Sequence, residues 1–390
     1  MIGTVRAVGK GGAGIVRQEG KTVFIPGVIA GEVVEFAIGK ERRSVYSGTL
    51  ERLIEPSPWR QRPPCPHYAD CGGCNFQHIR YEEQLRIKER IFRDNLSRIA
   101  GIDWRRSLAV VASPPWRYRT KTEFKIAGGK VGFFRRQSHE LVEIDSCRLV
   151  PKVVEDLLRS SSLRKRMEAV TLGRVLALTD GKSVSAYIAD LKDEKNSPGP
   201  TGIPFSLTVP SGRRYEYDFN PGNFIQANIF LLPVMIGLLE ESLTGLCPAK
   251  AADLFCGTGF FTLPLAAHAG QVLAVENNSA NLVALRRNLE RNKIGNVTIS
   301  AADAYLTDIP AADVLVVDPP RGGLGKRMIG RISAAGPRTI VYYSCDSATF
   351  ARDIRFFSKA GYAPRAMRLI DNFPQTDHIE IFAALEKGGG

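Results

Sequence analysis

A chain of 390 residues, 44% hydrophobic and 24% charged, has the composition of a globular protein large enough for two or three domains. No stretch approaches the ~18 uninterrupted apolar residues of a membrane helix. Met1–Lys10 lacks the apolar run of a secretory signal, so a cytoplasmic protein is expected, working away from any membrane. The net charge of +13 falls mostly in residues 1–150. That asymmetry suits a polyanion-binding module joined to a nearly neutral catalytic one, although charge alone fits a merely soluble basic surface equally well.

In chain order, residues 1–55 read as five short alternating runs separated by glycine turns: Gly3–Val8, Gly14–Arg17, Lys21–Pro26, Glu32–Ala37 and Ser47–Glu51. This spacing predicts a small β-barrel of the OB type. Five prolines between Pro56 and Pro66 mark a linker. The middle part, 56–219, combines a helical period over Tyr81–Ile99 with strand-like pieces at Lys121–Lys125, Val131–Arg135 and Val184–Ala189, an α+β pattern. Residues 192–202 are polar and rich in Pro, Gly and Ser, and predict a turn or exposed loop. From residue 220 to 390 strands alternate with helices. Ala251–Phe255, Gln271–Glu276, Val297–Ala302, Val314–Asp318 and Thr339–Ser344 predict a doubly wound parallel sheet, an α/β catalytic domain.

Three cysteines crowd together as Cys65, Cys71 and Cys74, with Cys147 the natural fourth. In a cytoplasmic chain such a group points to metal rather than disulfides. Four thiolates suit either a [4Fe–4S] cluster or a structural zinc ion, and spacing leaves both open. From Pro115 to Lys125 aromatic residues interleave with Arg117, Arg119, Lys121 and Lys125, a composition that can neutralise phosphates and stack bases. An amphipathic strand with a solvated basic face would look the same.

Gly257 and Gly259 follow the first parallel strand and open a helix, allowing a tight turn and close approach to a ligand. Glu276 ends the next strand, where a carboxylate can hold both ribose hydroxyls. Position 262 is Thr, so the third glycine of the dinucleotide fingerprint is missing. The pattern therefore favours S-adenosylmethionine, which has no pyrophosphate, and Asp303 is placed to bond its adenine amine. Asp318-Pro319-Pro320-Arg321 ends the fourth strand with a carboxylate but without the aromatic residue that exocyclic-amine methylation uses. Cys345 ends the fifth strand ahead of a helix, whose N-terminus is expected to favour the thiolate.

A thiolate beside a methyl donor suits carbon 5 of uracil. That carbon is too weak a nucleophile until a thiolate adds to carbon 6. A base must then take the carbon 5 proton, and Asp377, His378 and Glu380 all qualify. A base within a duplex could not reach the thiol, so a flipped-out or unstacked nucleotide is expected.

These motifs together resemble the RNA (uracil-5)-methyltransferases, most nearly the bacterial 23S ribosomal RNA branch with an N-terminal TRAM domain. The resemblance is carried by Cys65/Cys71–Cys74 with Gln77 and His78, Phe224–Asn228, Asp253–Gly259, Asp318–Arg321, Ser344–Asp346 and His378–Glu380. It implies a Rossmann-like class I methyltransferase domain (220–390), a TRAM barrel (1–55) and a central iron–sulfur and RNA-binding domain (56–219). It also implies Cys345 as nucleophile, Glu380 as base, and Cys65, Cys71, Cys74 and Cys147 as ligands of a [4Fe–4S] cluster. Gln226, Phe255, Phe260, Glu276, Asp303 and Asp318 match positions around cofactor and uracil. Phe260 departs from the polar Asn of several relatives. The implied substrate is ribosomal RNA, with tRNA as the alternative, and a monomer is expected. Cytosine methylation by the same fold is disfavoured because Cys345 has no second cysteine at the fourth strand. An RNA-binding protein with a degenerate catalytic domain is disfavoured by the presence of Cys345 and Glu380.

Overall fold

A computed structural model describes residues 1–42, 44–191 and 201–388. The expected loop at 192–202 falls almost wholly outside them. Strands β1 (Ile2–Thr4), β2 (Ala7–Val8), β3 (Ala13–Gln18), β4 (Lys21–Pro26), β5 (Val33–Arg42) and β6 (Val45–Glu55) form one sheet in the order β1-β5-β6-β4-β3-β2. Its first and last members are two halves of one bent segment, so the sheet closes on itself. Val16, Val23, Ile25, Val34 and Phe36 alternate inward and fill the interior. Gly14 is required there: a Cβ would lie 2.3 Å from Val28 and 2.8 Å from Val5. Three register shifts between β5 and β6 supply the bends that closure needs.

After the proline-rich linker, α1 (Tyr81–Asn95) buries Ile87 and Phe92 and runs into one π-helical turn at Leu96–Ala100. Strand β7 (Ala109–Val111) follows. A second sheet, order β10-β9-β8-β11-β12, contains β8 (Lys121–Ala127), β9 (Lys130–Phe134), β10 (Leu141–Glu143), β11 (Leu172–Thr179) and β12 (Val184–Asp190). Helices α2 (Lys152–Arg159) and α3 (Ser161–Glu168) cover one face, packing Val154, Leu158, Leu163 and Met167 against Phe124, Ile126 and Val175. The hairpin of β13 (Ile203–Thr208) and β14 (Arg214–Phe219) precedes α4 (Leu232–Leu243).

The catalytic body follows: β15 (Lys250–Leu254), α5 (Thr262–Ala266), β16 (Gln271–Glu276), α6 (Ser279–Arg291), β17 (Val297–Ala301), β18 (Val314–Val317), α7 (Gly325–Ala335), β19 (Thr339–Ser344), α8 (Ser347–Lys359), β20 (Tyr362–Ile370) and β21 (Glu380–Lys387). The eight-stranded sheet runs β17-β16-β15-β18-β19-β21-β20-β7, with β15 to β19 parallel and β21 antiparallel. The five expected strands lie where the apolar runs place them. Their alternate residues face two layers, one built on α4, α5 and α6, the other on α1, α7 and α8. Among the described residues no helix is long and apolar enough to cross a membrane.

Residues 56–219 do not form one unit, contrary to the division expected from sequence. Phe92, Leu96 and Leu108 belong to the core of the catalytic sheet, and β7 pairs with its edge strand β20. The hairpin β13–β14 packs on the same body, where Tyr217 donates its hydroxyl to the Phe260 carbonyl at 2.9 Å. Helical periodicity shows which face of α1 is apolar but not which distant surface covers it.

One ion pair fixes α1 to the strand that precedes the catalytic loop. Lys88 and Asp371 have fully buried side chains and meet at 2.5 Å, with the Tyr81 hydroxyl also on Asp371 at 2.8 Å. Asp371→Ala leaves an uncompensated buried ammonium and is expected to destabilise the chain by about 3–5 kcal/mol. Urea unfolding of the full-length variant measures this.

Candidate active site

The parallel strands end along one edge, and the strand order reverses between β15 and β18, the place where such sheets open a crevice. A cleft of about 1970 Å³ occupies it, lined by Gln226, Phe255, Glu276, Asp303, Asp318, Cys345 and Glu380 among others. Residues far apart in sequence are thus brought to one space, most of them by β-strand ends.

The floor of one half is the β15 loop. Phe255 adopts φ +63, and Gly257 and Gly259 adopt φ +55 and +88. A Cβ on Gly259 would come within 2.5 Å of Leu285, so only glycine lets the loop lie on α6. Phe255, a bulky residue in the left-handed region, is held there against Tyr305, ring centroids 4.9 Å apart. Glu276 accepts the backbone N–H groups of Gly257, Asn277 and Asn278 at 2.9, 2.9 and 2.7 Å, which fixes its carboxylate at the rim of the cleft. Asp303 is set by the Tyr305 N–H at 2.8 Å. Phe260 is the exception among the expected cofactor contacts. Its ring is buried between Tyr217 and Phe261 in the core, because an aromatic side chain in the first turn after the loop gains more by packing than by facing the cleft.

In the other half, Asp318 ends β18, Cys345 follows β19 and Glu380 begins β21. The Gln226 amide donates to Asp318 at 2.8 Å, and the buried Asn372 donates to Gln226 at 3.5 Å. An amide relay thus runs from Asn372 through Gln226 to the Asp318 carboxyl group. Burial pushes the Asp318 carboxyl up to about 7, against the opposing bond from Gln226. Burial and then Asp318 hold Glu380 well above the usual carboxylate range. Asp377 and His378, the other sequence candidates for a base, line a separate small cavity on the far side of Cys345. Sequence reasoning missed Asn372, whose only signal was its place in the Asp371–Glu380 segment.

The expected helix-terminus effect on Cys345 is not found. Burial, Glu380 and Asp318 raise the thiol to about 11, with Arg321 opposing them. The first N–H groups of α8 are occupied by the cap, Asp346, which accepts Ala348 and Thr349 at 3.1 and 2.9 Å. A thiol one residue outside a saturated cap gains little from the helix dipole.

Cys65, Cys71, Cys74 and Cys147 line one cavity with Arg119, His67 and Tyr68. Burial raises Cys71 and Cys147 and lifts Cys74 to about 12. Among the described residues no three His, Cys, Asp or Glu side chains form a group that could hold a metal ion as they stand. The basic stretch from Pro115 divides. Tyr118 and Phe124 are fully buried, so neither ring is free to stack on a base, while the part-exposed Arg117 pairs with Glu155 at 2.8 Å. Arg119 and Lys121 line the catalytic cleft, at the end facing β8.

A doubly wound sheet with a glycine loop, an acidic ribose position and a cysteine beside two carboxyl groups defines an S-adenosylmethionine-dependent methyltransferase. The family model for tRNA (uracil-5-)-methyltransferases matches residues 203–307 and 301–388. A 23S rRNA (uracil(1939)-C(5))-methyltransferase of Alkalilimnicola ehrlichii is 32% identical across 96% of this chain and 94% of its own. Its namesake in Pseudomonas entomophila is 31% identical across 98% of this chain and 93% of its own. The chain belongs to the RNA (uracil-5)-methyltransferase family. Its fold is similar to that of the Pyrococcus abyssi tRNA (uracil-54, C5)-methyltransferase solved with S-adenosyl-L-homocysteine, at a TM-score of 0.75, 23% identity and 99% coverage of both chains.

Proposed function

We propose that the protein methylates carbon 5 of a uridine in 23S ribosomal RNA, the position named for its relatives being the uracil at 1939. The observation that carries the chemistry is the meeting of Cys345, Asp318 and Glu380 in one cleft with the cofactor residues. Bound S-adenosylmethionine supplies the methyl group as a sulfonium. Glu276 would hold its ribose, Asp303 its adenine amine and Phe255 its ring face, while Gln226 and Asp318 face the uracil.

The thiolate of Cys345 adds to carbon 6, forming the S–C6 bond and converting the C5=C6 double bond into an enolate. Carbon 5 then takes the methyl group, and the sulfonium becomes a neutral thioether. Glu380 removes the carbon 5 proton, the C5=C6 double bond returns and the thiolate leaves. Burial raises the proton affinity of Glu380, which makes its carboxylate a stronger base for a carbon acid. Because burial, Glu380 and Asp318 push the thiol up to about 11, the rate is expected to rise with pH from 6 to 9 as thiolate accumulates. It is expected to rise most steeply below about 7, where Asp318 must also lose its proton. A pH profile of single-turnover methylation checks this.

The closed N-terminal sheet is read as the TRAM barrel of OB type, binding RNA with the basic residues at the cleft. Cys65, Cys71, Cys74 and Cys147 are read as ligands of a [4Fe–4S] cluster. Four soft donors lining one buried cavity support that reading, since buried thiols with no cation are costly to ionise. The reading as a whole is tested with methyl-labelled S-adenosylmethionine and unmodified ribosomal RNA or tRNA, followed by nucleoside identification. Label in 5-methyluridine from ribosomal RNA is the expected result. Label from tRNA alone would move the substrate, and label in another nucleoside would overturn the chemistry.

A further inference from the structure

The catalytic sheet does not build the surroundings of Cys345 alone. The turn between β2 and β3 reaches across from the N-terminal barrel. Lys10 pairs with Asp346, the residue after the thiol, and the Gly11 N–H donates to Asp377 at 2.7 Å. Asn75, from the cysteine segment, joins the same contact. Its amide donates to Asp377 at 2.8 Å and to the Gly11 carbonyl at 3.2 Å, and accepts the Asp377 N–H at 3.0 Å. Gly12, at φ +77, lies so near that a Cβ would be 2.6 Å from the Asn75 amide. Between these groups lies a small cavity lined by Lys10, Lys88, Cys345, Asp346, Asp377 and His378. Cys345 therefore has the catalytic cleft on one side and a barrel-covered cavity on the other.

Asp346 has two contacts that bear on the thiol. It caps α8 and so fixes the chain just after the thiol, and it is also the anchor for the barrel turn through Lys10. The only side-chain cation paired with Asp346 among the described residues comes from the barrel, so the barrel holds the residue next to the thiol in place. Asp377, three residues ahead of Glu380, is gripped by the same turn. We propose that Lys10 is a positioning residue for the Cys345 adduct chemistry, so that the barrel completes the catalytic centre as well as holding RNA. This rests on the assignment of Cys345 as nucleophile. The Lys10 side chain is 58% exposed, so the pair adds little to stability and its removal leaves the fold standing.

The test uses the full-length protein with Lys10→Met and Lys10→Arg, and unmodified ribosomal RNA as substrate. Lys10→Met is expected to lower kcat on the order of tenfold with the KM for RNA changed less than about twofold, and Lys10→Arg to recover most of the rate. Melting temperature and affinity for S-adenosylhomocysteine are expected to stay at the parent values. A raised KM with kcat intact would overturn the proposal, making Lys10 a phosphate contact. So would unchanged kinetics, or a fall in kcat matched by lost melting temperature and cofactor binding. Cys345→Ala is assayed alongside. Turnover surviving in that variant would refute the nucleophile itself, a result separable from any effect of Lys10.

Discussion

Cys345→Ala is expected to abolish methylation, a loss of about 10⁴-fold or more, while RNA and S-adenosylhomocysteine still bind. The size follows from the chemistry rather than from packing. Without addition at carbon 6, carbon 5 of uracil has no enolate to offer, and no other thiol lines the cleft. Shortening the partly buried CH2SH side chain to a methyl group removes only the sulfur and leaves the strand end and its cap at Asp346 in place. Turnover assays report the first half of the expectation, and filter binding with calorimetry reports the second. Loss of RNA affinity in proportion to activity would show instead that Cys345 is a structural residue.

Glu380→Gln has a different signature. The amide keeps the shape of the buried side chain and its neighbour Asn372, but it cannot accept the carbon 5 proton. Addition and methyl transfer therefore still occur, and elimination stalls. The expected product is a covalent RNA–protein species already carrying the methyl group, resolving at least about 10²-fold more slowly than the parent enzyme turns over. A denaturing gel with labelled cofactor detects it. If no such species forms, another group removes the proton. His378 and Asp377 are poorly placed for that, because both line the cavity behind the thiol rather than the cleft.

Much of this was legible in the sequence, for identifiable physical reasons. The inner parallel strands were readable because a strand buried on both faces is a continuous apolar run, as in Val314–Val317. The glycine loop, Asp318 and Cys345 were readable because each sits where such a strand ends. The edge of the sheet was not. β7 has three residues, too few for any period, and it pairs with β20 across more than 250 positions. The same blindness to distant partners hid Lys88 under Asp371, Asn372 beside Gln226 and Lys10 on Asp346. Two expectations failed through competition between neighbours. Tyr118 and Phe124 alternate with cations as base-stacking residues would, but core packing claimed both rings. Cys345 precedes a helix, but Asp346 had already taken the N–H groups that would have favoured its thiolate.

The most direct measurement of the central claim uses ribosomal RNA in which 5-fluorouridine replaces uridine. Fluorine at carbon 5 cannot be removed as a proton, so a cysteine adduct that has accepted the methyl group is trapped. After digestion with nuclease and protease, mass spectrometry should find one methylated fluorouridine nucleotide, attached to the peptide that contains Cys345. Attachment to any other residue, or full turnover with no attachment, would contradict the mechanism.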